Sequence, residues 1–251
     1  MKITLCRFFP PVRVFNYNCQ MLGRFDGSIL ESSPLFADLD RSNLDRLARY
    51  ARLISVEKNS CVFKQGDPSD GCYSILDGVV RISVVSSDGH DALLAMAGKG
   101  DVVGEMGLIN NQPRSATVMA VSLTSLAFLT ARDFQSVADS NPLLYKHMLE
   151  ILSNRLRATN ETVASPQLLS LSGRLAKTLL RLSEHFGEPL GEQRILIRQK
   201  FTQIELAEIA GVARENVNRQ IRSWIKSGLM SRKTGCYCLE DTEALRKLSE
   251  L

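Results

Sequence analysis

The sequence predicts an α+β chain in three successive parts: a small antiparallel β-roll, one long helix, and a C-terminal winged helix-turn-helix. Three observations predict it. Short runs rich in β-branched and aromatic residues crowd residues 55–130, separated by glycine-containing turns. After Asn141-Pro142 the chain carries a helical pattern with no Gly or Pro until Pro166. Two short amphipathic helices then flank Gly211 in "FTQIELAEIAGVARENVNRQIRSWIKSGLMS". On these grounds residues 1–25 read as a loosely ordered extension, with Met21 a candidate alternative start. Residues 26–140 read as the β-roll with flanking helices, 141–165 as the long helix, and 166–251 as the C-terminal domain.

Taken in order, "SNLDRLARYARLI" has helical periodicity, with Ser42 the candidate cap. "CVFK", "CYSIL", "VVRISVV", "DALLAMA" and "SLAFL" read as strands, punctuated at Gly66-Asp67-Pro68, Asp77-Gly78, Asp88-Gly89 and Gly98-Lys99-Gly100. Asp88-Gly89 is a hairpin candidate. In the long helix Leu149, Leu156 and Val163 step with Leu152 and Thr159 as a heptad seam. A helix of about 24 residues is roughly 36 Å long and overhangs a small barrel, which favours pairing with a second copy. Beyond Pro166, "RILIR" reads as a strand. Thr202 and Glu205 form a capping box, Ile204, Leu206, Ala207, Ile209 and Ala210 make a core face, and Gly211 stops the helix. The next helix starts near Arg214 and is expected to bury Val217, Ile221, Trp224 and Ile225. "SRKTGCYCL" reads as a wing.

Composition excludes several classes. At 44% hydrophobic and 23% charged the chain is ordinary for a globular protein, and no apolar run reaches the roughly 20 residues of a membrane span. Arg7, Pro10, Pro11 and Arg13 break the N-terminus before a signal core forms, so a cytoplasmic location is expected. The six cysteines form no C-x-x-C pair, and only three histidines (His90, His147, His185) are present, so free thiols and no metal are expected. No H-E-x-x-H, Walker loop or G-x-S-x-G occurs, which argues against an enzyme. Charge is uneven. Residues 1–165 hold 17 basic and 17 acidic residues, whereas 166–251 hold 14 and 10. The whole excess of +4 therefore lies in the last part, which suits a polyanion such as DNA.

"VVGEMGLINNQPRSATV", residues 102–118, sets a carboxylate, a guanidinium and a hydroxyl in an otherwise apolar stretch. A cyclic nucleotide asks for that combination. Its phosphate takes a guanidinium fork and hydroxyls, here Arg114 and Ser115. Its ribose hydroxyl takes an ionised acceptor, here Glu105. Gly104 allows close backbone approach, a short helical turn starting there would aim N–H groups at the phosphate, and Pro113 fixes the chain ahead of Arg114.

"VGEMGLINNQPRSATVMA" resembles the phosphate-binding cassette of cyclic-nucleotide-binding domains, and "VFKQGDPSDGCYSILDGVV" resembles the glycine-punctuated β-roll of the same domain. With the long helix and helix-turn-helix, residues 28–240 resemble the CRP/FNR family of bacterial transcription regulators. The resemblance implies a cyclic-nucleotide-binding domain, a dimerisation helix, and a homodimer whose recognition helices read a two-fold symmetric operator. It assigns ligand contacts to Gly104, Glu105, Met106, Arg114 and Ser115. It assigns base contacts to Thr159 and Asn160, where Asn160 replaces the family's usual Ser. cAMP is favoured, with cGMP open, because an amide carries both a donor and an acceptor. In the recognition helix "GVARENVNRQ" it assigns guanines to Arg214 and Arg219 and a cytosine to Glu215; Asn218, which departs from that type, is a further DNA-binding candidate. Phosphate contacts are expected from Thr202, Arg222, Lys226, Arg232 and Lys233. RNA polymerase is a further implied partner. The alternatives are the same fold sensing redox state or a gas through haem or thiols, with Cys61 and Cys72 on the β-roll, and a regulator that binds DNA independently of nucleotide.

Overall fold

The computed structural model describes residues 27–86, 88 and 91–250. Expectations on residues 1–25, Met21, Cys6, Cys19, Gly89 and His90 lie outside the described residues. The chain divides into two compact units between Asn154 and Arg155.

The first unit opens with two 3-10 turns, Gly27–Ile29 and Pro34–Phe36, and helix α1 (Arg41–Tyr50). The cap of α1 is Asp40, whose carboxylate accepts from Asn43 N at 2.9 Å, not Ser42. An aspartate oxygen does the work expected of the serine, two residues earlier in the chain. Eight strands follow: β1 (Arg52–Val56), β2 (Cys61–Phe63), β3 (Gly71–Asp77), β4 (Val80–Val85), β5 (Asp91–Ala97), β6 (Val102–Val103), then helix α2 (Gly107–Asn110), β7 (Thr117–Ala120) and β8 (Thr124–Thr130). They build two antiparallel four-stranded sheets, ordered β1-β8-β3-β6 and β2-β7-β4-β5. β4 and β5 form the expected hairpin, Val85 opposite Asp91. Between the sheets Val56, Val62, Ile75, Val80, Val118 and Leu126 form one apolar core. Burial of each such side chain contributes about 1.5–3 kcal/mol. A second core, with Leu35, Leu47, Phe134, Leu144 and Met148, packs α1, α3 (Ala131–Ala138) and the start of α4 (Leu143–Leu168) against the sheet that holds β3 and β8.

α4 runs through Pro166 to Leu168 rather than ending at 165. A proline in the last turn removes one amide donor, and the bond from Leu169 N to Ser165 O, 2.9 Å, continues the turn past it. Along α4 Leu149, Leu156 and Val163 are exposed, while Leu152 packs at the margin of the second core.

The second unit adds α5 (Leu171–Phe186), β9 (Gly187–Pro189), β10 (Ile195–Ile197), α6 (Gln203–Ala210), α7 (Arg214–Lys226), β11 (Met230–Lys233), β12 (Cys236–Leu239) and α8 (Thr242–Ser249). The wing is larger than the sequence suggested, a four-stranded sheet ordered β11-β12-β10-β9. The Thr202–Glu205 capping box forms, with Glu205 N donating to Thr202 Oγ1 (3.2 Å) and Thr202 N donating to Glu205 Oε2 (2.7 Å). Gly211 ends α6 at φ 62°, the left-handed conformation that glycine adopts without a Cβ penalty. Ile204 and Ile225, assigned to the core, are exposed, and Ile209 is half-buried, whereas Leu206, Ala207, Ala210, Val217, Ile221 and Trp224 are buried.

Candidate functional site

Antiparallel pairing of β3 with β6 sets Tyr73 opposite Val103 and so delivers Gly104 and Glu105 to the end of the sheet. The turn at 64–67 then grips the backbone of Arg114 from both sides. Gly66 N donates to Arg114 O and Arg114 N to Asp67 O, each at 2.8 Å. The guanidinium is carried inward. Arg114 is 4% exposed and Glu105 1%. Arg114 Nη1 donates to Gly71 O (2.7 Å) and Gly104 O (2.9 Å), and Nη2 to Asp70 Oδ1 (2.7 Å). The Phe63 ring centroid lies 4.3 Å from the guanidinium carbon and that of Tyr73 5.7 Å away. A cation held between two ring faces and two carbonyls is oriented before any ligand arrives.

Gly104, Glu105, Met106, Arg114 and Ser115 therefore come together in the first unit. Met106 is exposed at the start of α2, and its sulfur accepts from Ser115 Oγ at 3.5 Å. The helical turn expected at Gly104 begins at Gly107 instead, because Gly104 itself sits at φ 79°. Thr159 and Asn160 lie on α4 in the second unit. The Thr159 hydroxyl donates to Arg155 O at 2.9 Å, so its proton is committed and its lone pairs remain.

Two residues that hold Arg114 escape sequence reasoning. Asp70 is an exposed carboxylate whose ion pair with Arg114 joins residues 44 apart. Gly71 contributes only a carbonyl. Neither role has a sequence signature, since both depend on β3 passing beside the cassette.

Cys72 follows directly. Burial first, then the neighbouring Glu105 carboxylate, push its thiol up to about 12, against the partial relief from Arg114. It stays protonated at neutral pH and is a poor nucleophile. Cys61, Cys236 and Cys238 are also buried, and none of them forms a disulfide among the described residues. Burial likewise pushes the Tyr73 phenol up to about 12, with the Asp70 carboxylate adding to it.

On α7 the residues assigned to DNA share one side. Arg214, Glu215, Arg219 and Arg222 are exposed, Asn218 is half-buried, and Val217, Ile221 and Trp224 face the interior. At about 100° per residue the six assigned positions, Lys226 included, span roughly 140° of the helix surface. Arg219 Nη2 donates to Asn216 Oδ1 at 2.7 Å, so Asn216 orients the guanidinium from one turn back. Thr202 is exposed at the start of α6, its hydroxyl already accepting in the capping box. Arg232 donates to the Tyr237 hydroxyl and lies over that ring, which binds it to the wing; Lys226 and Lys233 are exposed.

Residues 53–141 match the cyclic nucleotide-binding domain, and residues 173–248 the Crp-like helix-turn-helix domain. The chain is 30% identical over 192 residues to the cAMP-activated global transcriptional regulator CRP of Salmonella typhimurium, covering 75% of this chain and 89% of that protein. The chain belongs to the CRP/FNR family. Among solved structures, a CRP/FNR transcriptional regulator of Thermus thermophilus is 26% identical with a TM-score of 0.64, over 80% of this chain and 99% of that one. The cyclic-di-GMP-responsive global regulator CLP of Xanthomonas campestris is 25% identical, also with a TM-score of 0.64, over 81% and 100%. This CRP/FNR protein is thus a transcription regulator with a cyclic-nucleotide-binding domain and a DNA-binding helix-turn-helix, and not an enzyme. No helix among the described residues is long and apolar enough to cross a membrane.

The family's cassette glycine has a physical duty here. A Cβ on Gly104 would stand 2.2 Å from Arg114 Nη1, at a φ that costs a substituted residue about 1–2 kcal/mol. Gly104→Ala is expected to weaken cyclic-nucleotide binding at least about tenfold by pushing the guanidinium aside, as one charged hydrogen bond of about 1.5–3 kcal/mol requires. Calorimetry that finds wild-type affinity would remove Gly104 from the site. Asp70→Asn should act oppositely. With the competing carboxylate gone and the two carbonyls still orienting Arg114, binding should tighten by up to about fivefold, the upper end of the roughly 0.2–1 kcal/mol of an exposed ion pair. An unchanged or weaker affinity by the same titration would mean that Asp70 serves the bound state instead.

Proposed function

We propose that this regulator binds cAMP through Arg114, Ser115, Glu105, Gly104 and Met106, and that the nucleotide biases a cytoplasmic homodimer towards reading a two-fold symmetric operator. The observation that carries the reading is the pairing of a buried, pre-oriented guanidinium with a buried carboxylate on one cassette. The guanidinium suits the cyclic phosphate and Ser115 adds a hydroxyl. Glu105 suits the ribose 2′-hydroxyl. Burial of a charge is costly, and a ligand that supplies the complementary charge recovers much of that cost.

Thr159 and Asn160 are proposed for the base edge, an assignment that rests on the sequence pattern. The state of Thr159 supports adenine. A hydroxyl that has given its proton to Arg155 O can only accept, and adenine presents an amino group where guanine presents a carbonyl. The exposed Leu149, Leu156 and Val163 support pairing of α4 with a second copy. Arg214, Glu215, Asn218 and Arg219 are proposed for base edges, and Thr202 and Arg222 for backbone phosphates. A dimer reads such a site when its two recognition helices lie about 34 Å apart. The nucleotide shifts that equilibrium only through different affinity for the two states. The haem or thiol alternative draws nothing from Cys61 or Cys72, both buried and Cys72 held protonated.

The test is calorimetric titration with cAMP, cGMP and cyclic di-GMP, paired with operator binding in each. cAMP is expected to bind most tightly and to raise operator affinity. Equal operator binding with and without every nucleotide would overturn the proposal.

A further inference from the structure

The second unit contains a groove lined by none of the residues assigned to DNA. It lies between the end of α4, one face of α5 and the last residues of α6. Arg174, Lys177 and Arg181 line it from α5, at spacings of three and four residues that share a helix face. Across from them stand Glu161, Thr162 and Ser165. With one acid against three bases the lining carries two net positive charges. Lys177 pairs with Glu161 at 3.0 Å. Among the described residues no hydrogen bond reaches Arg174 Nε, although that atom is shielded from solvent. A guanidinium donor withdrawn from water without an acceptor is a costly arrangement that an anion relieves.

We propose that this groove binds a diphosphate group, as inorganic diphosphate or on a nucleoside diphosphate. Arg174 and Arg181 are seven residues apart, a rise of about 10 Å along α5. That span exceeds one phosphate and matches two linked ones, with Lys177 between them. Guanidinium forks suit phosphate oxygens, and the ammonium supplies a point charge. The bound group takes Lys177 in exchange for Glu161 and ties the end of α4 to α5 and to the α6 terminus at Gly211, beside the turn of the helix-turn-helix. The site is independent of the cassette and uses none of its residues.

The test is calorimetric titration of the full chain with inorganic diphosphate, without divalent cations, and separately with ADP. Saturable binding of either supports the proposal, and ADP displacing diphosphate assigns the nucleoside form. The double variant Lys177→Gln/Arg181→Gln should bind at least tenfold more weakly at an unchanged melting temperature. Lys177→Arg should retain binding, and so should Arg114→Leu, which separates this site from the cassette. If the double variant melts early, Arg181→Gln alone serves, since Arg181 is exposed. Absence of saturable binding, wild-type binding by the variants, or loss through Arg114→Leu would overturn the proposal. So would a double variant whose only change is a shallower salt dependence of DNA binding, which would give these cations to the DNA backbone.

Discussion

Arg114→Leu is expected to weaken cyclic-nucleotide binding by at least about 100-fold. A guanidinium meeting a phosphate makes two charge-assisted hydrogen bonds, each about 1.5–3 kcal/mol. Leucine supplies neither and leaves Gly71 O and Gly104 O without the donor they now have. The unliganded protein should therefore also lose stability, by about 1–3 kcal/mol for buried acceptors left unsatisfied. The two effects separate in measurement. Calorimetry reads the loss of affinity, and thermal unfolding without ligand reads the loss of fold. Arg114→Lys should recover part of the affinity but not all, since an ammonium cannot span two carbonyls and a carboxylate with a planar fork. Operator binding in Arg114→Leu should no longer respond to nucleotide. A variant that responds like wild type would place the phosphate elsewhere.

The second large effect is at Arg219. Arg219→Gln is expected to cost about 1–3 kcal/mol of operator affinity and to relax specificity at one base position per half-site. The argument rests on exposure and preparation. Arg219 is exposed on α7, and Asn216 fixes its guanidinium at 2.7 Å, so less freedom is lost on docking. Lys226→Gln on the same helix should weaken binding to every sequence alike and lower the salt slope by about one. Gel shifts on a panel of single-base operator variants distinguish the outcomes. Uniform weakening by Arg219→Gln would reduce that residue to a backbone contact.

What can be read from the sequence is local. Strands with turn residues between them, the Thr202–Glu205 cap and the Gly211 stop follow from chemistry within a few residues, and the structure forms each. β1 escapes such reading because Arg52, Leu53 and Ile54, read with the helix before them, extend its apolar period although α1 stops at Tyr50; β6 and β7 escape it because both lie inside the cassette, where chemistry-bearing residues interrupt the apolar pattern. Ser42 loses the cap to Asp40 because two candidate oxygens stand two residues apart and only geometry chooses. Ile204 and Ile225 fit the helical period, yet each sits at the edge of its stripe and faces outward. Within the candidate site the residues on 104–115 are legible because they are contiguous. Asp70 and Gly71 are not, because the sheet brings them to Arg114 across 44 and 43 positions.

The Asp70–Arg114 contact makes the unliganded site a self-occupied one. A tethered carboxylate already accepts from Arg114 Nη2, and an anion drawn to that nitrogen has to displace it. Orthophosphate or sulfate arriving from bulk only swaps one oxyanion for another and gains little. A ligand that also engages Glu105 through its sugar brings a second foothold the internal rival lacks. The tethered acid therefore sets a modest threshold, roughly the 0.2–1 kcal/mol of an exposed ion pair, that any anion drawn to this arginine has to exceed.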